Sequence, residues 1–117
     1  MLDVKARDQQ GHAFQVEIQV RVKPGLRERM AHTWAELYQS QLESGEDYTA
    51  LRPAISVWIL DDHLFPDSAP WHHRFTIHDA DHHKTLTDHL QIHTVELQKW
   101  IRPTAGTRSL LTSPPWS

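Results

Sequence analysis

Leu2-Asp3-Val4-Lys5-Ala6-Arg7-Asp8 and Phe14-Gln15-Val16-Glu17-Ile18-Gln19-Val20 face each other across Gln9-Gln10-Gly11. Each segment alternates apolar with polar residues. Leu2, Val4 and Ala6 share one face of the first, with Asp3, Lys5 and Arg7 on the other. In the second, Phe14, Val16, Ile18 and Val20 alternate with Gln15, Glu17, Gln19 and Arg21. A period of two is the mark of half-buried strands, and Gly11 supplies the left-handed position of a short hairpin loop. Matching apolar with apolar leaves two registers. Asp3 lies opposite Glu17 with Lys5 opposite Gln15, or Asp3 lies opposite Gln19 with Lys5 opposite Glu17. A one-residue slip is excluded, because it sends every side chain to the wrong face.

Either register brings two carboxylates close. Directly opposed Cβ atoms stand about 4.5–5.5 Å apart and diagonal ones about 7–8 Å. Oxygen ligands at that spacing suit Mg²⁺ or Mn²⁺. The same residues also read as an ordinary polar sheet face with cross-strand charge pairs, since two carboxylates on a hairpin are not a motif.

Working outward, Lys23-Pro24-Gly25 breaks the second strand. Leu26, Met30, Trp34, Leu37, Tyr38 and Leu42 then recur at helical spacing, opposite Arg27, Glu28, Arg29, Glu36, Gln39 and Glu43, with Gly45 as the expected stop. Ala54-Ile55-Ser56-Val57-Trp58-Ile59-Leu60 reads as a strand buried on both faces. Trp71 to Ile77 and Ile92 to Leu97 are further strand candidates. Val4, Val16, Ile18, Ile55, Val57 and Ile59 are expected to form the core with Trp34 and Leu37. The stretch from Arg102 to Ser117, with Pro103, Gly106, Pro114 and Pro115, has no periodicity and reads as a poorly ordered tail (102–117) behind a domain at 1–101.

The chain has 117 residues, enough for one modest core, and a net charge of −3, which argues against a uniformly basic surface while leaving room for a local basic patch. Cysteine is absent, which removes disulfides, thiolate zinc sites and cysteine nucleophiles and fits a reducing compartment. No apolar run approaches the ~20 residues needed to span a bilayer. No signal-peptide pattern is seen, so no membrane partner and a cytoplasmic location are expected. Eight of the ten histidines fall between His63 and His93. Their irregular spacing lacks the paired geometry of a zinc site and reads as surface or edge-strand histidine.

In order and spacing, these stretches resemble the PD-(D/E)xK nuclease family of bacterial transposases, the recombination-promoting nucleases. The likeness rests on Leu2 to Asp8, Gly11, Val16-Glu17-Ile18-Gln19-Val20, Arg29, Trp34 and Tyr38-Gln39-Ser40-Gln41-Leu42. It continues through Gly45 to Pro53, Ile55 to Leu60, Leu64-Phe65, Leu86-Thr87-Asp88, Ile92-His93 and Glu96-Leu97-Gln98-Lys99-Trp100. The resemblance implies an α/β, restriction-endonuclease-like core: β-hairpin, helix, buried strand and further C-terminal strands. It implies Mg²⁺- or Mn²⁺-dependent hydrolysis of double-stranded DNA. Asp3 matches the catalytic aspartate and metal ligand, and Glu17 matches the second metal ligand. Gln19 stands where the family name has Lys, an E-x-Q version common in the family, and Lys5 is placed to replace part of the missing charge. Arg7, Arg21 and Arg29 are the implied DNA contacts. The family core begins earlier, with a helix and a strand that usually add another acidic residue. The resemblance therefore implies an N-terminally truncated copy with weakened or no activity, completed by a homodimer or by a full-length homologue. The alternative is a non-catalytic module that binds DNA or such a homologue.

Overall fold

The computed structural model describes residues 2–100, and the side chains of residues 4–100. The expected tail lies outside the described residues, as does the end of the expected domain. Leu2–Arg7 (β1) and Ala13–Gln19 (β2) form the expected hairpin. Its register is the first of the two options: Asp3 pairs with Glu17, Val4 with Val16 and Lys5 with Gln15. Gly11 takes the left-handed conformation at φ 86°. Gly25 does the same at φ 85° as the N-cap of Leu26–Gln39 (α1). The helix ends earlier than Gly45 predicts. Ser40 closes it on Glu36 O, and Gln41 and Leu42 tighten into three-residue bonds to Tyr38 O and Gln39 O. Gly45 sits beyond, in the turn closed by Glu46 N on Glu43 O.

Gln41 leads the chain into the next strand. Its amide donates to Arg52 O at 2.8 Å and accepts from Arg52 N at 2.9 Å, a two-ended clamp just before Ala54–Leu60 (β3). His72–His78 (β4), Thr85–Glu96 (β5) and the short helix Leu97–Trp100 (α2) complete the described chain. The strand order is β1-β2-β3-β5-β4. β2, β3 and β5 run parallel, and the hairpins β1–β2 and β4–β5 add an antiparallel edge on each side. The result is a mixed five-stranded sheet with few helices, consistent with the expected α/β class. As expected, central β3 is buried on both faces. No described helix is long and apolar enough to cross a membrane.

The cluster packed under α1 lies on the face opposite to the one expected, while Ile55 and Val57 are buried as expected. Leu26 and Met30 of α1 pack on Trp58, Leu60 and Ile92, with Val22, Trp34, Leu64 and Leu90 at the margin. Trp34 Nε1 donates to Ala54 O at 2.7 Å and pins α1 to the start of β3. Ala13, Gln15 and Glu17 are buried on that same side of β2, whereas Val16 and Ile18 are half-buried and Val4 is 49% exposed. Ile55 and Val57 are buried, but on the far side of the sheet from Trp58, by the alternation of the strand. Trp34 and Leu37 are themselves half-buried. The reason is the β2–α1–β3 crossover. A connection between parallel neighbours is right-handed in nearly all proteins, and that hand selects the face the helix covers. Local alternation says that two faces differ; it does not say which one the crossover will take.

Two buried polar groups fix the rest. Glu96, fully buried, accepts from Leu64 N at 3.3 Å and Phe65 N at 3.0 Å and is ion-paired with Lys99. Lys99 in turn donates to Phe65 O and Pro66 O, so the loop after β3 is fastened to the end of β5. His93 is not on the surface: it is fully buried, stacked on His72 at 5.1 Å between ring centroids. Gln91 Oε1 accepts from His93 Nε2, which leaves Nδ1 to accept from His72 Nε2 at 2.8 Å. Burial, then the charges of His72 and Arg74, push His93 down to about 4.

Two outcomes follow from this core. Trp58→Ala should lower the free energy of unfolding by about 3–5 kcal/mol, whereas Val4→Ala should leave it nearly unchanged, both by denaturant titration. The depressed His93 adds an acid dependence. The unfolded imidazole takes up its proton near 6.5, and the folded one only near 4. Stability is therefore full above pH 6.5 and declines toward pH 4, by up to about 1.4 kcal/mol per pH unit. His93→Gln should flatten that slope in melting curves recorded across pH 4–7.

Candidate active site

The site starts from a turn. Asp8 Oδ1 accepts from Gln10 N at 2.9 Å and His12 N at 2.8 Å, and Asp8 O accepts from Gly11 N at 3.1 Å. His12 Nδ1 lies 3.0 Å from Asp8 Oδ2. An aspartate that caps its own turn in this way fixes loop length, and loop length fixes register. Through that register residue 3 comes to lie opposite Glu17, and Lys5 opposite Gln15.

Because α1 crosses over the polar face of β2, a cleft of about 350 Å³ remains between them. Lys5, Gln15 and Glu17 line it from the hairpin, and Thr33, Glu36, Leu37 and Ser40 from the helix and its end. Glu17 is 4% exposed and Gln15 1%. Gln15 Nε2 donates to Glu17 Oε1 at 3.0 Å, and Arg29 Nη2 of α1 stands 3.7 Å from Glu17 Oε2. The Arg29 guanidinium also lies over Trp58, 5.7 Å from the ring centroid. A carboxylate withdrawn from water needs such donors, since burying it alone is costly. Gln15 Oε1 and Gln19 Oε1 are buried without a hydrogen-bond partner. An orphaned acceptor of this kind costs about 1–3 kcal/mol, and natural proteins keep few of them.

The residues expected from sequence divide into two groups. Lys5 and Glu17 line the cleft, Arg29 stands beside Glu17, and the backbone of Asp3 lies in register opposite Glu17. Lys5 is exposed at its lip, and Gln19 lies two residues along from Glu17, half-buried beside Leu60. Arg7 and Arg21 do not join them. Arg7 pairs with Ala13 at the turn end of the hairpin, and Arg21 lies in the bend after β2. At ~3.3 Å per residue the two ends of β2 are roughly 20 Å apart. Arg21 instead contributes a minor favourable charge to Asp62, whose carboxyl is held low chiefly by the backbone N–H groups of Val22 and His63. Gln15 and the helix residues Thr33 and Ser40 were not singled out from sequence. Parity already puts Gln15 on the face of Glu17; the helix side required the crossover. Among the described residues no group of three or more His, Cys, Asp or Glu could hold a metal ion.

Comparison with known proteins adds one positive finding. The family model for PD-(D/E)XK nuclease family transposases matches residues 1–112. No curated protein and no solved structure matches the chain significantly.

The turn is the testable element of this geometry. Asp8→Ala should speed amide hydrogen exchange through β1 while leaving β3 and β5 protected, because only the hairpin register depends on the cap.

Proposed function

The chain belongs to the PD-(D/E)XK nuclease family transposases, and from that membership we propose that it hydrolyses phosphodiesters of double-stranded DNA with a divalent cation, Mg²⁺ or Mn²⁺. The observation that carries this reading is the buried Glu17 carboxylate facing a polar cleft, with residue 3 in register opposite it. The donor chemistry fits a hard cation. It offers a carboxylate and a buried amide oxygen without a partner, and the chain contains no thiol.

Asp3 and Glu17 are the residues that would hold the ion. When bound, such an ion polarises the scissile phosphate and makes the attacking water more acidic. The protein groups supply the rest. Lys5 at the lip holds positive charge where the phosphorane develops. The Gln19 amide cannot act as a base, but it can orient the water or a phosphate oxygen. Arg29, 3.7 Å from Glu17 Oε2, keeps that carboxylate in place and is proposed as a further phosphate contact. Arg7 and Arg21, far apart along the hairpin, meet separate backbone phosphates, each contact steepening the salt dependence of binding. β1 and β4 are the sheet edges of the described chain, which supports pairing with a second copy or a homologue. A cytoplasmic setting belongs to the same reading.

Supercoiled-plasmid nicking in Mn²⁺ tests it. Wild type should nick only weakly, and Glu17→Ala should lose roughly 100-fold or more of that rate, since positioning alone is worth about that much. Calorimetry should show Mn²⁺ binding that is lost in Asp3→Ala and Glu17→Ala. DNA binding without cleavage, unchanged by either substitution, would select the non-catalytic alternative.

A further inference from the structure

We propose that Gln15 is a positioning residue of the cation site, one end of its amide holding Glu17 and the other giving a neutral oxygen to the cation or its bound water; this rests on the cation reading above. Glutamine is seldom withdrawn from water, yet Gln15 is 1% exposed and lines the same cleft as Glu17. Its orientation is forced. A carboxylate only accepts, so the group facing Glu17 Oε1 at 3.0 Å must be the Gln15 NH₂. That choice fixes Gln15 Oε1 on the other branch of the amide, where no described group donates to it.

A side-chain amide can use both ends. Gln41 shows the pattern in this same protein, donating to Arg52 O and accepting from Arg52 N. Gln15 uses one. Its register partner, Lys5, lies exposed at the cleft lip and makes no hydrogen bond to it. Oxygen-preferring cations take amide carbonyls alongside carboxylates. A neutral oxygen adds a donor without adding to the repulsion between two carboxylates. Second partners that orient a metal ligand commonly matter roughly 10–100-fold in metal affinity.

The test is Mn²⁺ binding to the full chain, read by calorimetry and by the Mn²⁺-induced rise in melting temperature. Gln15→Leu keeps the bulk and removes both amide ends. It should weaken Mn²⁺ roughly 10–100-fold. Gln15→Met, unbranched and likewise without amide ends, should weaken Mn²⁺ to a similar extent. Gln15→Leu that melts differently but binds Mn²⁺ with wild-type affinity would overturn the proposal and leave the nuclease reading standing. If Gln15→Leu does not fold, Gln15→Met decides: wild-type Mn²⁺ affinity in that variant overturns the proposal. Wild type that binds no Mn²⁺ overturns the cation reading, and the role of Gln15 with it.

Discussion

The passage of α1 over the polar face of β2 is the constraint on which the rest of the structure depends. Parallel β2 and β3 need a crossover, and the only long helix among the described residues provides it. Leu26, Met30 and Trp34 then pack on the Trp58 side of β3. The same placement closes Gln15 and Glu17 beneath the helix. Core formation and burial of a charged residue are thus one event. The apolar half of the hairpin, with Val4 and Val20 largely exposed, is what that choice leaves behind.

Two buried carboxylates show how differently one fold can treat the same group. Glu96 is surrounded by donors: two backbone N–H groups and the Lys99 ammonium. It fastens the loop after β3 to the end of β5. Glu17 accepts from the Gln15 amide, stands 3.7 Å from Arg29 and borders a cleft of about 350 Å³. Polar networks that are fully satisfied rigidify a fold. Glu96 thus ties a loop to the sheet, whereas Glu17 borders the cleft.

The histidine-rich half of the chain belongs to architecture as well. His72 and His93 stack, and burial keeps His93 neutral, so that its two ring nitrogens can donate and accept within the sheet. At the outer end of β4–β5, His82 pairs with Asp79, which also caps the loop through Asp81 N and His82 N. The histidines are spread over both ends of a long hairpin, which is why their crowding in sequence does not become a cluster in space.

The sequence alone determined the elements that local chemistry controls. Alternation gave β1 and β2, Gly11 gave their turn, the 3.6-residue period gave α1, and a run of β-branched and aromatic residues gave a strand buried on both faces. It also limited the Asp3–Glu17 pairing to two registers and put Gln15, Glu17 and Gln19 on one side of a strand. Only tertiary structure decided which face of the hairpin the helix would cover. Only it drew Arg29 to Glu17, left Arg7 and Arg21 at opposite ends, and sank His93 into the sheet. The physical reason is that periodicity is a property of neighbours along the chain. The hand of a crossover and the lateral order of strands depend on residues dozens of positions apart, and no local pattern encodes them.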